Sequence, residues 1–247
     1  MAKVRIDQLL VARGLAPSRA RAQAVVLAGE VFVGGTRVDK AGVLVPADAA
    51  IEVRVPDHPF VSRGGVKLAG ALDAFAIDVR GLRCLDLGAS TGGFTDCLLQ
   101  RGAVQVVAVD VGYGLLAHKL RVDSRVVVLE RTNARALGAE AIGGPADLTV
   151  VDASFIGLAK LLGAIAACTR PDGQLVALVK PQFEVGREHA TRTRGVVREG
   201  DARSEAIAAA AKAVADAGFE LLGQRDSTLA GPKGNIEAFV HARRVPP

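Results

Sequence analysis

Two lysines and two carboxylates, far apart in the chain, are of the types needed to move a proton at a hydroxyl group: Lys67, Asp152, Lys180 and Glu237. Deprotonating an alcohol while a new bond forms to its oxygen requires a base held within hydrogen-bond reach. A lysine acts as that base only where neighbouring positive charge or burial lowers its pKa, so two lysines sharing a site with carboxylates form the useful signature. Each residue also has a plain reading. Lys67 could be a solvated helix charge, Asp152 a turn former, Lys180 a strand-end surface lysine and Glu237 an exposed strand position. Their placement favours a shared site: Asp152 and Lys180 end two apolar runs, Lys67 opens the helix before the first run, and Glu237 lies on the last one.

A second cluster runs Asp86-Leu87-Gly88-Ala89-Ser90-Thr91-Gly92-Gly93-Phe94-Thr95. Glycines there let the backbone turn tightly and approach a ligand closely. In an open α/β sheet, ligands sit at the carboxyl ends of the strands. A dinucleotide site would prefer G-x-G-x-x-G around a pyrophosphate. Here Ser90 stands where the second glycine belongs, and an acid, Asp86, precedes the first. An acid in that place suits a ligand carrying an ammonium group. A second acid, Asp110, ends the next apolar run, where it can accept hydrogen bonds from a ribose diol. Acid, glycine loop, acid is an arrangement that holds S-adenosylmethionine. The expected contacts are Asp86, Gly88, Ser90, Thr91, Gly92, Gly93, Phe94, Asp110 and Asp152, with Asn133 near the adenine. A nicotinamide site and an ordinary tight turn are the competing readings.

The elements that must position these residues follow from periodicity. Arg83–Leu87, Gln105–Asp110, Val126–Glu130, Asp147–Asp152 and Gln174–Lys180 are strand-length aliphatic runs, spaced to leave helices between them. A helix near Asp201–Ala217 is followed by Phe219–Arg225 and Ile236–Ala242, which read as an antiparallel hairpin. The fold class expected is α/β, a Rossmann-like methyltransferase domain, preceded by a small α+β domain. In that first block Arg5–Ala12 and Arg19–Ala28 have helical spacing, Ser18 is a suitable N-cap, and Gly34-Gly35 marks a hairpin between Val31–Val33 and Thr36–Val38. Ile51–Val55 adds a strand, and Pro56, His58 and Pro59 form a linker. The division expected is 1–56, a linker 57–62, and 63–247.

Charge points to a polyanion. The 247 residues carry a net charge of +5, and Lys3, Arg5, Arg13, Arg19 and Arg21 face only Asp7 in the first 21. Arg19 and Arg21 open a helix, where side-chain charge and free N–H groups can both meet phosphate. The stretch from Gly186 to Arg203 is also arginine-rich; Arg192 and Arg194 are read as part of a loop closing over a flipped nucleotide, with a solvated loop as the alternative. Three scattered cysteines (Cys84, Cys97, Cys168) argue for reduced thiols rather than disulfides, and no metal is expected. The N-terminus has no apolar signal region, so a cytoplasmic protein is expected.

Two resemblances sharpen these expectations. Arg5-Ile6-Asp7-Gln8-Leu9-Leu10, Ser18-Arg19-Ala20-Arg21-Ala22 and Gly29-Glu30-Val31-Phe32-Val33 resemble the S4-like RNA-binding domain of ribosomal proteins and pseudouridine synthases. The order Lys67, Asp152, Lys180, Glu237 matches the tetrad of FtsJ-type 2′-O-ribose methyltransferases. Nearly end to end, the chain looks like the TlyA family, often labelled hemolysin A. This rests on Ser62-Arg63-Gly64-Gly65-Val66-Lys67-Leu68, the glycine loop, Asp110-Val111-Gly112-Tyr113-Gly114, Glu130-Arg131-Thr132-Asn133-Ala134-Arg135, Asp152-Ala153-Ser154-Phe155-Ile156 and Lys180-Pro181-Gln182-Phe183-Glu184. The family often has another residue at the position of Ala153. The resemblance implies S-adenosylmethionine-dependent 2′-O-methylation of cytidine in bacterial ribosomal RNA. Lys180 would be the base; Lys67, Asp152 and Glu237 would shape its pKa and orient the hydroxyl. Arg5, Arg19, Arg21, Arg63, Arg192 and Arg194 are the expected RNA contacts. The short termini point to the large-subunit RNA alone, with methylation of both subunits' RNA as the alternative. A membrane-lytic protein is a rival reading, without a spanning segment to support it. An inactive ribosome-assembly factor is another, and the intact tetrad speaks against it.

Overall fold

A computed structural model describes residues 3–54, 58–154, 156–184, 197, 200–231 and 234–246. Its first part packs β1 (Lys3–Arg5), α1 (Ile6–Ala12), α2 (Arg19–Ala28), β2 (Val31–Val33), β3 (Thr36–Val38), β4 (Leu44–Pro46) and β5 (Ile51–Val53) around Ile6, Leu10, Val26, Val31 and Val45. Ser18 Oγ accepts the Arg21 N–H at the start of α2, and Gly29 ends that helix in the left-handed region at φ 79°. Gly34 and Gly35, both at positive φ, turn β2 into β3. β1 and β4 are too short to show a period. They pair with each other, Val4 opposite Val45, and were not visible in the sequence pattern.

The rest is a three-layer α/β arrangement. In chain order come α3 (Arg63–Ala74), β6 (Arg83–Leu87), α4 (Gly93–Gln100), β7 (Gln105–Val109), α5 (His118–Arg121), β8 (Val126–Leu129), β9 (Ala146–Val151), α6 (Leu162–Cys168), β10 (Thr169–Val179), α7 (Pro181–Glu184), α8 (Asp201–Asp216), β11 (Phe219–Asp226) and β12 (Ala238–Arg244). Seven strands form one sheet in the order β11-β12-β10-β9-β6-β7-β8. β8, β7, β6, β9 and β10 run parallel, and β12 is antiparallel to both β10 and β11. The strands are aliphatic on both faces because both are covered. Cys84, Val106, Leu148 and Val150 pack against Leu68 of α3 and Leu98 of α4. Their neighbours Leu85, Val107 and Val151 pack against Ile165 of α6 and Ile207 of α8.

This topology gathers the reactive residues at one rim. The chain leaves β6 for β7 on one side, while β9 lies on the other, so the carboxyl ends of β6 and β9 flank the switch point where open sheets bind ligands. Because β12 runs the opposite way, its beginning lies at the same rim as the ends of β9 and β10. Glu237 sits one residue before β12 rather than within a strand, and Asp152 one residue after β9. β10 also starts earlier than its apolar run, at Thr169, through an irregularity before Gln174.

Candidate active site

The glycine loop is shaped by close backbone contacts. Gly88 has φ 89°, and a Cβ there would come within 2.7 Å of the Asp152 carbonyl oxygen. The ends of β6 and β9 therefore meet at a distance only glycine allows. Gly93 opens α4 against α3, where a Cβ would meet Ser62 Oγ at 2.2 Å. Gly65 on α3 makes room in the same way for the Phe60 ring. These glycines let the two helices cross closely enough to bring Lys67, one turn into α3, to the rim. Asp96 of α4 secures the approach by accepting the Val61 N–H at 2.8 Å and pairing with Lys119 at 2.9 Å.

The two lysines and two carboxylates meet there as two ion pairs. Lys67 Nζ lies 2.6 Å from Glu237 Oε2, with both side chains buried. Lys180 Nζ lies 2.5 Å from Asp152 Oδ1 and donates to Ser154 Oγ at 2.8 Å. Burial works against the charged form of Asp152, but Lys180 and then Lys67 outweigh it and hold its pKa below the usual carboxylate range. The influence of Lys67 on Asp152 joins the two pairs into one cluster. Gly231 completes it: a Cβ there would lie 2.6 Å from Glu237 Oε1. Ser154 was missed from the sequence, since a serine two residues past a strand reads as an ordinary loop polar group.

The candidate cofactor residues occupy the adjoining rim but do different work. Asp110 Oδ2 accepts the Ser90 N–H at 2.8 Å and Oδ1 the Gly112 N–H at 2.7 Å, which orients its carboxylate. Ser90 is held at a φ of 49°, a conformation few non-glycine residues adopt. Asn133 is exposed and uses its side-chain oxygen to cap a short turn through the Arg135 N–H, leaving its amide N–H2 as the donor. Asp86 is fully buried; Oδ2 accepts the Thr95 hydroxyl at 2.7 Å, and Oδ1 has no partner. Burial pushes its pKa up to about 7. Thr91, Gly92 and Gly93 are buried in the loop, and the Phe94 ring packs in the core, 6.1 Å from Phe239. The side chain of Phe94 therefore supports the loop from beneath.

Of the candidate RNA contacts, Arg5 and Arg19 both bond to Asp7, which is buried and also takes Gln23 Nε2. These donors, Arg5 first, hold the Asp7 carboxyl far below its ordinary pKa despite burial. The guanidinium groups are fixed in direction yet remain partly exposed, by 38% and 54%. Arg21 is exposed. Arg63 lies at the start of α3 beside Gly29 and Arg37, partly buried and with Nε unpartnered. Burial first, then Arg37, lowers its pKa, while Asp39 and Glu237 oppose the shift. Arg192 and Arg194 lie outside the described residues. Cys84 and Cys97 are buried, and burial pushes their thiols up to about 12. Among the described residues no helix is long and apolar enough to cross a membrane.

The chain as a whole is matched by known proteins. The FtsJ-like methyltransferase family matches residues 60–244, and the S4 domain family matches residues 4–51. The chain belongs to the TlyA family of FtsJ-like methyltransferases. It is 50% identical, over 98% of its own length and 90% of the relative's, to the 16S/23S rRNA (cytidine-2′-O)-methyltransferase TlyA of Mycobacterium tuberculosis. It is 39% identical to Hemolysin A of Brachyspira hyodysenteriae, over 96% of this chain and 99% of that one. A solved structure bearing a hemolysin name, from Streptococcus thermophilus, superposes with a TM-score of 0.76 at 39% identity, covering 99% of this chain and 90% of that chain. The expected fold and family are thereby borne out.

Proposed function

We propose that this protein transfers a methyl group from S-adenosylmethionine to the ribose 2′-hydroxyl of a cytidine in bacterial ribosomal RNA. The observation that carries this reading is the paired cluster Lys67–Glu237 and Lys180–Asp152 beside the glycine loop. The substrate comes from relatives, which are named for cytidine-2′-O methylation of 16S and 23S rRNA or of 23S rRNA.

The residues present fit the cofactor. Asp86 Oδ1, buried without a partner, is an acceptor for an ammonium group. Asp110, at the end of β7, retains lone pairs for a ribose diol. Gly88 and Ser90, both at positive φ, shape the loop that would face the ligand, and the Asn133 amide would be the donor to the base. When bound, S-adenosylmethionine supplies an electrophilic methyl group on a sulfonium. Lys180, once its ammonium has passed a proton to solvent, takes the hydroxyl proton as the oxygen attacks, with Asp152 and Ser154 directing Nζ. Lys67, steadied by Glu237, donates to the ribose and holds the hydroxyl in line.

Residues 1–56 are read as the RNA-binding part, joined through 57–62 to the catalytic part, 63–247. Arg5, Arg19, Arg21 and Arg63, together with Arg192 and Arg194, contact the RNA. Such a substrate belongs in the cytoplasm.

The test is incubation with labelled S-adenosylmethionine and naked rRNA, free subunits or assembled ribosomes from a strain lacking the modification. Label on a cytidine ribose that disappears with Lys180→Ala supports the proposal and names the particle. Tight cofactor binding with no transfer to any of these RNAs would refute it.

A further inference from the structure

Two arginines from different parts of the chain converge near the tetrad. Arg37 is exposed on β3, and Arg63 is half-buried at the start of α3. Both side chains cross Gly29. At the place a Cβ of Gly29 would occupy, Arg63 Nε is 3.1 Å away and Arg37 Cδ 3.5 Å. A larger residue there would part them.

The position of Arg63 is costly in three ways. Burial disfavours its charge, and Arg37 adds like-charge repulsion. It also opens a helix, the end that favours anions, and no acid lies in that first turn. No bonded partner offsets these costs. Among the described residues neither Arg37 nor Arg63 has a hydrogen bond or ion pair. Glu237, whose charge favours the Arg63 cation, is bonded to Lys67, and Asp39 acts through charge alone. Of the Arg63 nitrogens only Nε is both buried and unpartnered, so the Nη groups still reach the surface. What this pair lacks is an anion.

The location tells which anion. Arg63 and Lys67 are four residues apart on α3, so they share a face with Cβ atoms about 5–6 Å apart. A ribose at Lys67 carries a phosphate on the carbon next to its 2′-hydroxyl. One helical turn away is where that phosphate falls.

We propose that Arg37 and Arg63 together hold one backbone phosphate of the RNA, the one flanking the ribose to be methylated. This rests on the function proposed above, and it gives Arg63 a partner, Arg37, from the other part of the chain. Guanidinium groups meet phosphate oxygens through paired N–H donors, and the phosphate charge cancels the repulsion between the two arginines. The site takes one residue from each part, so the part that binds RNA also helps to place the reacting ribose.

The test compares wild type, Arg37→Ala, Arg63→Ala and the double variant. Methyl transfer to ribosomal particles and affinity for them are measured over a range of salt, with cofactor affinity and thermal melts alongside. Each single variant is expected to lose roughly tenfold in kcat/KM, as loss of a charge-assisted contact allows. Cofactor affinity should stay as it is, and the melting temperature should hold or rise because the repulsion is relieved. Two arginines on one phosphate are coupled, so the double variant should lose less than the product of the single losses. Its plot of log affinity against log salt should be shallower by about 0.7–0.9, the count for a single phosphate. Losses that multiply would mean two separate contacts and overturn the inference. Wild-type activity in Arg37→Ala would overturn it too, as would losses that track a lower melting temperature or weaker cofactor binding. If the wild type transfers no methyl group, the proposed function fails, while the affinity and salt slope of these variants still decide the phosphate site.

Discussion

Replacing Glu237 with Gln leaves the Lys67 ammonium buried without its counter-charge. The two side chains are 9% and 1% exposed and meet at 2.6 Å, so little water can substitute for the missing carboxylate. Arg63 also lies within the field of Glu237 and loses that favourable charge. Removing one partner of a buried pair costs about 3–5 kcal/mol. Gln still accepts one hydrogen bond, so the lower end, about 3 kcal/mol, applies. For a chain of this size that corresponds to a fall of roughly 6–12 °C in melting temperature. The assay is a thermal melt of wild type, Glu237→Gln, and the double variant Lys67→Met/Glu237→Leu, each also tested for methyl transfer. The double variant should recover most of the lost stability, because an apolar pair of similar volume avoids the desolvation of both charges. It should recover none of the activity. A Glu237→Gln melt within about 1 °C of wild type would refute the reasoning, since the buried pair could not then carry the expected energy.

Three further outcomes follow from the same geometry. Asp86, raised to about 7 by burial, binds a proton in the folded state that the unfolded chain has lost by about pH 4. Stability without cofactor should therefore fall as pH rises through that window, by at most about 1.4 kcal/mol per pH unit, and Asp86→Asn should flatten the slope in denaturant titrations. Gly88→Ala would push a Cβ to 2.7 Å from the Asp152 carbonyl at a φ of 89°, and calorimetry should show cofactor affinity down by roughly tenfold or more. Asp7→Ala should cost at least about 2 kcal/mol, since Arg5, Arg19 and Gln23 lose their shared acceptor. Because the folded Asp7 pKa is depressed, its stabilisation is present above about pH 4 and is lost as pH falls through the folded value, and a urea titration at neutral and acid pH would show both parts.

Much of the molecule was legible from the chain because the decisive signals are local. Asp86, the glycines after it and Asp110 announce two adjacent strand ends within one short stretch, and the aliphatic runs locate five parallel strands. Period fails where elements are brief, as with β1 and β4, or where the register shifts, as between Thr169 and Gln174 of β10. Partners were harder to see than residues. Nothing in the spacing tells that Lys67 belongs with Glu237 and Lys180 with Asp152, because that depends on where β12 begins relative to β10. Arg5 and Arg19 read as RNA contacts, and nothing in the sequence shows that both also bond to Asp7 between them. Phe94 sits inside a ligand-binding motif, yet its ring serves the core, a distinction only three-dimensional packing makes.

The Lys67–Glu237 bridge joins residues 170 positions apart, one near the start of the catalytic part and one beside its closing strand. Closing so long a loop costs chain entropy that must be met before the contact rewards it, so contacts of this kind form late in folding. The glycine loop and its two acids lie within one short segment and can be assembled early. The loop still needs the Asp152 carbonyl of β9 against Gly88, and the reaction site needs β12 as well. The antiparallel β12 works as a fastening sewn on last: until its first residues dock at the rim, the molecule has no counter-charge for Lys67.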